Sequence, residues 1–166
     1  MKNNYFITFF LFFFLLFNNL YAQQLEINSS KVKYDDINKI TIFEGNVNSV
    51  DNKGNKLFSD YAEYNKIKGL IKTQGNTQIE TSAGYKVLSK DVVYDSKKQI
   101  IFSNKETRIE DNDGNNILVE MFNYSTASNI FFSKGKIQII DINNNNYNFS
   151  EIYIDEKKKK NNRFRC

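Results

Sequence analysis

Tyrosines recur along this chain at a fixed spacing. Four tyrosines and one isoleucine stand 30 residues apart: Tyr34, Tyr64, Tyr94, Tyr124 and Ile154. Two further sets of residues keep the same spacing: Gly45, Gly75, Lys105 and Gly135, then Gly54, Gly84, Gly114 and Asn144. A fixed period of this length means that one supersecondary unit is stacked on copies of itself. The sequence therefore predicts about four copies of one unit, with the beginning of a fifth.

Within each unit, apolar and polar residues alternate. In "LIKTQGNTQIE", the residues Ile71, Thr73, Thr77 and Ile79 share one face, with Gly75 between them. A period of two with one polar side is typical of antiparallel strands that have one solvated face. No helical periodicity appears after the first 22 residues, and the chain has no proline to interrupt a strand. We expect an all-β fold.

The second strand of each unit breaks this alternation at a fixed place. In "KLFSDYAEYN", the inward candidates Leu57 and Ser59 are followed by Ala62 and Tyr64, with a step of three residues in the middle. The same step occurs in "KVLSKDVVYD" and "ILVEMFNY". A β-bulge produces such an offset and bends the strand. We expect about nine strands in curved antiparallel sheets that fold over into a V-shaped sandwich or roll.

Glycine-containing turns connect the strands. The segments "VDNKGN", "TSAGYK" and "EDNDGN" place glycine where hairpins often need a positive φ. The run "DNDG" also resembles part of a calcium loop, but counting back from Gly114 puts Ile109 at the first position, where aspartate is required. The sequence predicts hairpin turns here and no metal site.

The ends of the chain differ from the repeats. Residues 1–22 have a lysine near the start, an apolar run that stops at Asn18, and a small residue at Ala22, which predicts a cleaved signal peptide. An uncleaved anchor is the alternative, although the run is shorter than a membrane span requires. Residues 23–156 form the predicted β domain, and residues 157–166, "KKKKNNRFRC", form a basic tail where the fifth repeat is aborted. The sequence predicts one exported domain with a lone cysteine, Cys166, and no disulfide.

The charge of the chain is unevenly distributed. Its formal net charge is +4, but residues 23–156 carry 16 basic against 19 acidic side chains, a net charge of −3. A nucleic-acid-binding domain would instead spread basic residues over a folded face. We therefore expect no nucleic-acid partner.

The repeated "EGNV" or "QGNT", followed by a turn and then by "LFSDYAEYN" or "VLSKDVVYD", resembles the OstA-like repeat of the periplasmic lipopolysaccharide-transport and assembly proteins. That family includes a soluble bridge component and the N-terminal domain of the outer-membrane assembly protein, formerly called organic solvent tolerance protein. The resemblance covers about residues 25–156. It implies a V-shaped β-jellyroll, a periplasmic location, acyl chains of lipopolysaccharide as ligand, and edge-strand pairing with similar domains. If the chain is part of the longer assembly protein, it also implies association with the outer-membrane assembly complex.

The resemblance further implies that the inward residues line a lipid groove. The candidates are Val47, Leu57, Ile71, Ile79, Val87, Val92, Tyr94, Ile101, Ile109, Ile117, Val119, Phe122, Tyr124, Phe131, Ile137, Ile139 and Phe149. Serine and threonine residues interleave with them on the same face. Because a closed core is packed with large side chains, these small residues are consistent with space for a ligand. The same positions also fit the core and rim of a closed sandwich. Lys105 departs from the pattern, because it removes the close backbone approach that glycine permits.

Catalysis is not expected from this sequence. The chain has no histidine and one cysteine, and no acid recurs on the inward positions. Neither a nucleophile with its base nor a metal cluster follows from such a residue set. We expect no catalytic residue, no cofactor and no metal. The main alternative to a lipid carrier is a structural β-repeat module, similar to an adhesin or solenoid scaffold, with no lipid ligand.

Overall fold

The computed structural model describes residues 26–155, and these residues form an antiparallel β-sheet without helices. Its fourteen strands are β1 (Glu26–Asn28), β2 (Lys31–Asp35), β3 (Ile40–Val50), β4 (Lys56–Asn65), β5 (Leu70–Thr73), β6 (Asn76–Glu80), β7 (Lys86–Lys90), β8 (Val93–Asp95), β9 (Ile100–Ser103), β10 (Thr107–Glu110), β11 (Asn116–Val119), β12 (Phe122–Ser125), β13 (Ile130–Ile140) and β14 (Asn146–Asp155). The expected all-β fold is confirmed. The predicted signal peptide and basic tail lie outside the described residues.

The strands form a meander in which the chain crosses the sheet nine times from one end of the strands to the other. We call each crossing a pass. Strands β3, β4, β13 and β14 each make one pass, and the other five passes are interrupted into the pairs β1/β2, β5/β6, β7/β8, β9/β10 and β11/β12. Each pass pairs with the passes before and after it. The expectation of about nine strands is therefore correct for passes of chain, whereas the interruptions raise the strand count to fourteen.

The interruptions divide the meander into two half-sheets. Half-sheet A contains β2, β5, β8, β9, β12 and residues 40–44, 61–65, 130–134 and 151–155. Half-sheet B contains β1, β6, β7, β10, β11 and residues 47–50, 56–59, 137–140 and 146–149. The half-sheets join at a crease, which we define as residues 29–30, 45–46, 60, 74–75, 91–92, 104–106, 120–121, 135–136 and 150. Each 30-residue unit thus supplies two passes and crosses the crease twice.

The repeat glycines explain how the uninterrupted strands cross the crease. The pairing of β3 with β4 shifts register between Glu44 and Val47, and Gly45 and Asn46 have φ angles of 74° and 50°. The pairing of β13 with β14 shifts in the same way between Lys134 and Ile137. The sequence placed the bulge after Ser59 and treated Gly45 as part of a regular alternation. That assignment is wrong for this pair, because the extra residue lies on β3, where glycine readily adopts a positive φ.

The tyrosine repeat forms one row across the inner face of half-sheet A. Register pairs connect Tyr34, Thr41, Tyr64, Ile71, Tyr94, Ile101, Tyr124, Phe131 and Ile154. A matching row crosses half-sheet B through Ile27, Ser49, Leu57, Ile79, Val87, Ile109, Ile117, Ile139 and Tyr147. These two rows face each other and supply most of the single apolar core.

Turns at the free ends of the strands form two rims. Rim A consists of the turns 36–39, 66–69, 96–99 and 126–129, and rim B consists of the turns 51–55, 81–85, 111–115 and 141–145. Three rim B turns are closed by an aspartate. The Asp111 carboxylate accepts hydrogen bonds from the backbone N–H of Asp113 and Asn115 and from the Asn115 side chain, and Asp51 and Asp141 do the same in their turns. The hairpin prediction is confirmed, since this carboxylate closes its own turn.

The two half-sheets are staggered at the edges of the meander. On the first pass, the inward residues Val32 and Tyr34 of half-sheet A are 58% and 61% exposed, whereas Ile27 of half-sheet B packs on the core. On the last pass the arrangement reverses. Tyr147 and Phe149 of half-sheet B are 45% and 47% exposed, whereas Ile154 of half-sheet A is buried. Half-sheet A therefore overhangs the first edge, and half-sheet B overhangs the last.

Candidate functional site

The inner faces of the half-sheets form a cleft that is closed at the crease and opens between the two rims. Fourteen of the predicted groove residues are buried on these faces: Val47, Ile71, Ile79, Val87, Val92, Tyr94, Ile101, Ile109, Ile117, Val119, Phe122, Tyr124, Phe131 and Ile137. Leu57 and Ile139 are half-buried against the same core. Phe149 lies on the same face but on the overhang of half-sheet B, where no residue of half-sheet A covers it. The predicted residues thus form one surface, with Phe149 at its exposed end.

The cleft contains almost no free space. Its apolar cavity measures about 20 Å³ and is lined mainly by side chains near the rims, among them Ile79, Tyr85, Ile109, Tyr124 and Ile154. Such a volume holds about one water molecule. Aromatic packing also fills the interior, since the Phe122 and Phe131 rings lie 6.1 Å apart with an interplanar angle of 13°. Any long ligand in this cleft would have to separate the half-sheets.

Small hydroxyl residues that flank the crease, which we call the crease hydroxyls, have a structural role there. Thr107 is fully buried, and its Oγ1 lies 2.7 Å from Ser89 Oγ and donates to the Lys105 carbonyl at 2.9 Å. Ser103 Oγ donates to the Lys90 carbonyl at 2.6 Å, and Ser133 Oγ donates to the Met121 carbonyl at 2.7 Å. These hydroxyls satisfy backbone groups where the strand ladder is interrupted. Their small size therefore reflects the crease and does not indicate space for a guest.

The comparisons with known proteins address this architecture. No protein-family model matches the sequence, and no curated protein matches it. Among solved structures, the chain is similar to LptH from Pseudomonas aeruginosa, described as the LptA-homologous periplasmic component of the lipopolysaccharide transport device. The TM-score is 0.59 at 15% sequence identity, and the match covers 68% of this chain and 82% of LptH. The fold is that of LptH.

The LptH-like fold confirms the β-jellyroll that the sequence resemblance implied. Both the repeat of about 30 residues and the inward rows are properties of this chain that produce the shared architecture. Because the identity is low, the similarity to LptH extends to the fold and not to individual residues.

A polar contact crosses the mouth of the cleft, between rim B and rim A. The Nζ of Lys53 donates to the backbone carbonyl of Thr126, 73 positions away in sequence. Thr126 is itself buried, and its backbone N–H donates to the Gln99 carbonyl within rim A at 2.9 Å. The Lys53–Thr126 contact therefore ties the end of one half-sheet to the end of the other.

Four further buried residues of the cleft were absent from the predicted groove, namely Phe43, Ala62, Tyr85 and Ile154. Phe43 and Tyr85 are both 8% exposed within the core. Tyr85 occupies the place that Asn55, Asn115 and Asn145 hold in the other rim B turns, and Thr81 replaces the aspartate of those turns. This departure from the repeat was the available signal, because an aromatic residue in a polar turn position requires a packing partner.

Ionisable groups with shifted pKa values lie outside the cleft. The Lys33 ammonium donates to Glu44 and lowers the pKa of that carboxyl, and the Glu63 carboxylate raises the pKa of the Tyr61 hydroxyl to about 12. Both groups are on the outer face of half-sheet A. Among residues 26–155, no cluster of side chains has the composition of a metal site. No helix in that range is long and apolar enough to cross a membrane.

Proposed function

We propose that this chain is a non-enzymatic periplasmic carrier of lipopolysaccharide, in which acyl chains insert between the half-sheets. The observation that supports it most is the large apolar surface that both inner faces contribute in a fold shared with LptH. The hydroxyls of Ser89, Thr107, Ser103 and Ser133, which are buried beside the crease, are already hydrogen-bonded within the fold. The predicted lining residues of the apolar surface are the groove set given above.

Insertion of an acyl chain requires opening at the mouth. The ligand would replace contacts between the half-sheets, so that apolar surface remains buried throughout. Each methylene that leaves water contributes about 0.8 kcal/mol, which favours the loaded state over an open, empty one. Lys53 must release Thr126 during this step, while the hydrogen-bonded crease keeps the two half-sheets joined.

The partners that this proposal implies are other jellyroll domains at the edges. Successive passes run in opposite directions, and nine is an odd number. The first and last passes therefore both run from rim B to rim A. A neighbouring domain that continues the sheet in the same orientation would therefore pair parallel, with half-sheet A next to half-sheet A. The overhanging Tyr147 and Phe149 of one domain would then cover Val32 and Tyr34 of the next.

A cross-link across the mouth tests the carrier directly. In a Cys166→Ser background, Lys53→Cys and Thr126→Cys are joined by a reducible bismaleimide, and binding of fluorescent lipopolysaccharide is measured. We expect saturable binding before cross-linking, loss of at least tenfold in affinity when the mouth is linked, and recovery after reduction. The matched control links Lys86→Cys to Glu110→Cys, which are neighbours within half-sheet B and do not span the mouth.

A structural β-repeat module is the second candidate, and the filled interior favours it. Such a module needs no opening, because its half-sheets act only as a sandwich core. Absence of saturable lipid binding to the correctly folded, unlinked chain would support the module and contradict the carrier. Equal binding with and without the cross-link would place the lipid outside the cleft.

A further inference from the structure

The two rims have opposite charge. The rim A turns contain five lysines and one aspartate, whereas the rim B turns contain one lysine and four aspartates. The difference is larger than the modest net charge of the domain suggests, because positive and negative residues are segregated to the two ends of the strands. Rim A is therefore a local cationic surface on an otherwise acidic domain.

The acids near rim A are already engaged. Asp36 pairs with Lys39 at 2.6 Å, and Asp95 pairs with Lys98 at 3.7 Å. The Asp35 carboxylate accepts the backbone N–H groups of Ile37 and Asn38 and the Asn38 side chain. The ammonium groups of Lys66 and Lys68 have no hydrogen bond or ion pair among residues 26–155. Their charge remains available to a partner.

The most exposed apolar side chains lie on the same rim. Among the large hydrophobic residues of the described chain, Ile37 at 92% and Ile67 at 67% are the two most exposed. They occupy neighbouring turns, which are separated by two strand spacings, or roughly 10 Å. Ile67 lies between Lys66 and Lys68 in sequence. Neither isoleucine contributes to the core or to the edge overhangs.

Neighbouring turns hold this surface together. Ser96 donates its backbone N–H and its hydroxyl to the Gly69 carbonyl at 2.9 and 2.8 Å. The Lys97 ammonium donates to the Ile67 carbonyl at 2.8 Å. Hydrogen bonds therefore join the turns 66–69 and 96–99, and Ile67 lies in a turn that its neighbour holds in place.

We propose that rim A docks peripherally on an anionic phospholipid bilayer. Apolar tips flanked by lysines suit the membrane interface, since the isoleucines enter the headgroup region while the lysines meet lipid phosphates. Charge complementarity selects this occupant, and the acidic rim B is repelled from the same surface. The docked orientation places rim A, which is one side of the mouth of the cleft, at the membrane surface.

Vesicle binding tests this docking without any lipopolysaccharide, so that its outcome is separate from that of the carrier proposal. The full chain is titrated with vesicles of phosphatidylethanolamine and phosphatidylglycerol, and with vesicles of phosphatidylcholine alone. We expect binding to the anionic vesicles that weakens with salt, and little binding to the neutral ones. The Lys66→Gln/Lys68→Gln variant should bind the anionic vesicles roughly tenfold more weakly. The Ile37→Ser/Ile67→Ser variant should also bind more weakly, with a reduced vesicle-induced blue shift of a fluorophore attached at residue 38 through Asn38→Cys in a Cys166→Ser background.

Matched controls are available on the same chain. Lys134→Gln/Lys136→Gln removes two exposed lysines near the crease that, like Lys66 and Lys68, are two residues apart in the sequence. Ile142→Ser removes an isoleucine that is 66% exposed on rim B. Neither control should change vesicle binding. The leader and the basic tail are kept the same in every pair of variants that is compared, so their contribution cancels. Equal losses in the control and rim A variants would overturn the proposal, as would binding to neutral vesicles with the same affinity. Competition by inorganic phosphate at constant ionic strength would also overturn it, because that result would indicate a free-anion site.

Discussion

The crease and the mouth are the two ends of one cleft, and they are stabilised in different ways. At the crease, buried hydroxyls such as those of Thr107 and Ser133 bond to backbone groups, and glycines allow the chain to bend. At the mouth, aliphatic and aromatic side chains meet with little polar restraint, apart from contacts such as Lys53–Thr126. Directional bonds resist a change of angle, whereas apolar contacts can be exchanged for other apolar contacts. We therefore call the crease the hinge, because its directional bonds fix it, and we call the apolar contacts at the mouth the seal, because other apolar contacts can replace them.

The largest expected effect comes from placing a charge in the seal. Ile109 is 2% exposed on the inner face of β10, so Ile109→Asp buries an unpaired carboxylate and should cost more than about 4 kcal/mol. Arg108→Asp changes the adjacent, outward residue and should cost less than about 1 kcal/mol. Urea unfolding followed by circular dichroism measures both. Similar losses in the two variants would contradict the assignment of inner and outer faces.

The inner and outer faces were predictable from sequence because alternation is a local property. The crease was not. In "LIKTQGNTQIE", Thr73 and Thr77 are both inward, so an even step carries the alternation through the bend without a visible break. The regular pattern therefore reads as one strand, although the structure ends β5 at Thr73 and begins β6 at Asn76.

The exposure of inward residues on the first and last passes could not be predicted from the sequence either. Phe149 has the same inward register as Ile137, its partner across the strand pair, yet Phe149 is 47% exposed and Ile137 is 1% exposed. Only the stagger between the half-sheets separates them. That stagger is a property of the whole sheet, which the alternation within a single repeat does not encode. Whether the cleft residues contact lipid remains a prediction.

A smaller effect is expected from removing one hydroxyl at the crease. Thr107→Val keeps the shape of the side chain but leaves the Lys105 carbonyl without this hydrogen bond, at a cost of about 1–3 kcal/mol. Ile117→Val at the mouth removes one methylene and should cost about 1 kcal/mol. Both changes are measured by chemical denaturation. The contrast between hinge and seal would fail if Thr107→Val were the milder change.

The crease glycines provide a third, more modest test. Gly135 has a φ of 110°, so Gly135→Ala should cost about 1–2 kcal/mol through backbone strain. Lys105 occupies the corresponding place in the third unit and is not among the residues with positive φ. Lys105→Gly should therefore bring no gain in stability, and it should lower the midpoint of thermal unfolding slightly because glycine adds freedom to the unfolded chain. A clear stabilisation by Lys105→Gly would show that the third crossing is strained by its lysine.

The smallest effect distinguishes crease from mouth by pH. The Asn145 side chain bonds to Asp141 and, with backbone N–H groups, lowers the pKa of that carboxyl below its usual value of 3.8. A carboxyl with a lowered folded-state pKa contributes stability above the unfolded value and loses it as pH falls through the folded value. The crease hydroxyls do not titrate in this range. We therefore expect hydrogen exchange below about pH 4 to accelerate in the rim B turn 141–145 before it accelerates at the crease. Asp141→Asn should reduce this acid sensitivity in the turn 141–145, whereas simultaneous loss of protection at crease and rim would mean that the two ends of the cleft open as one unit.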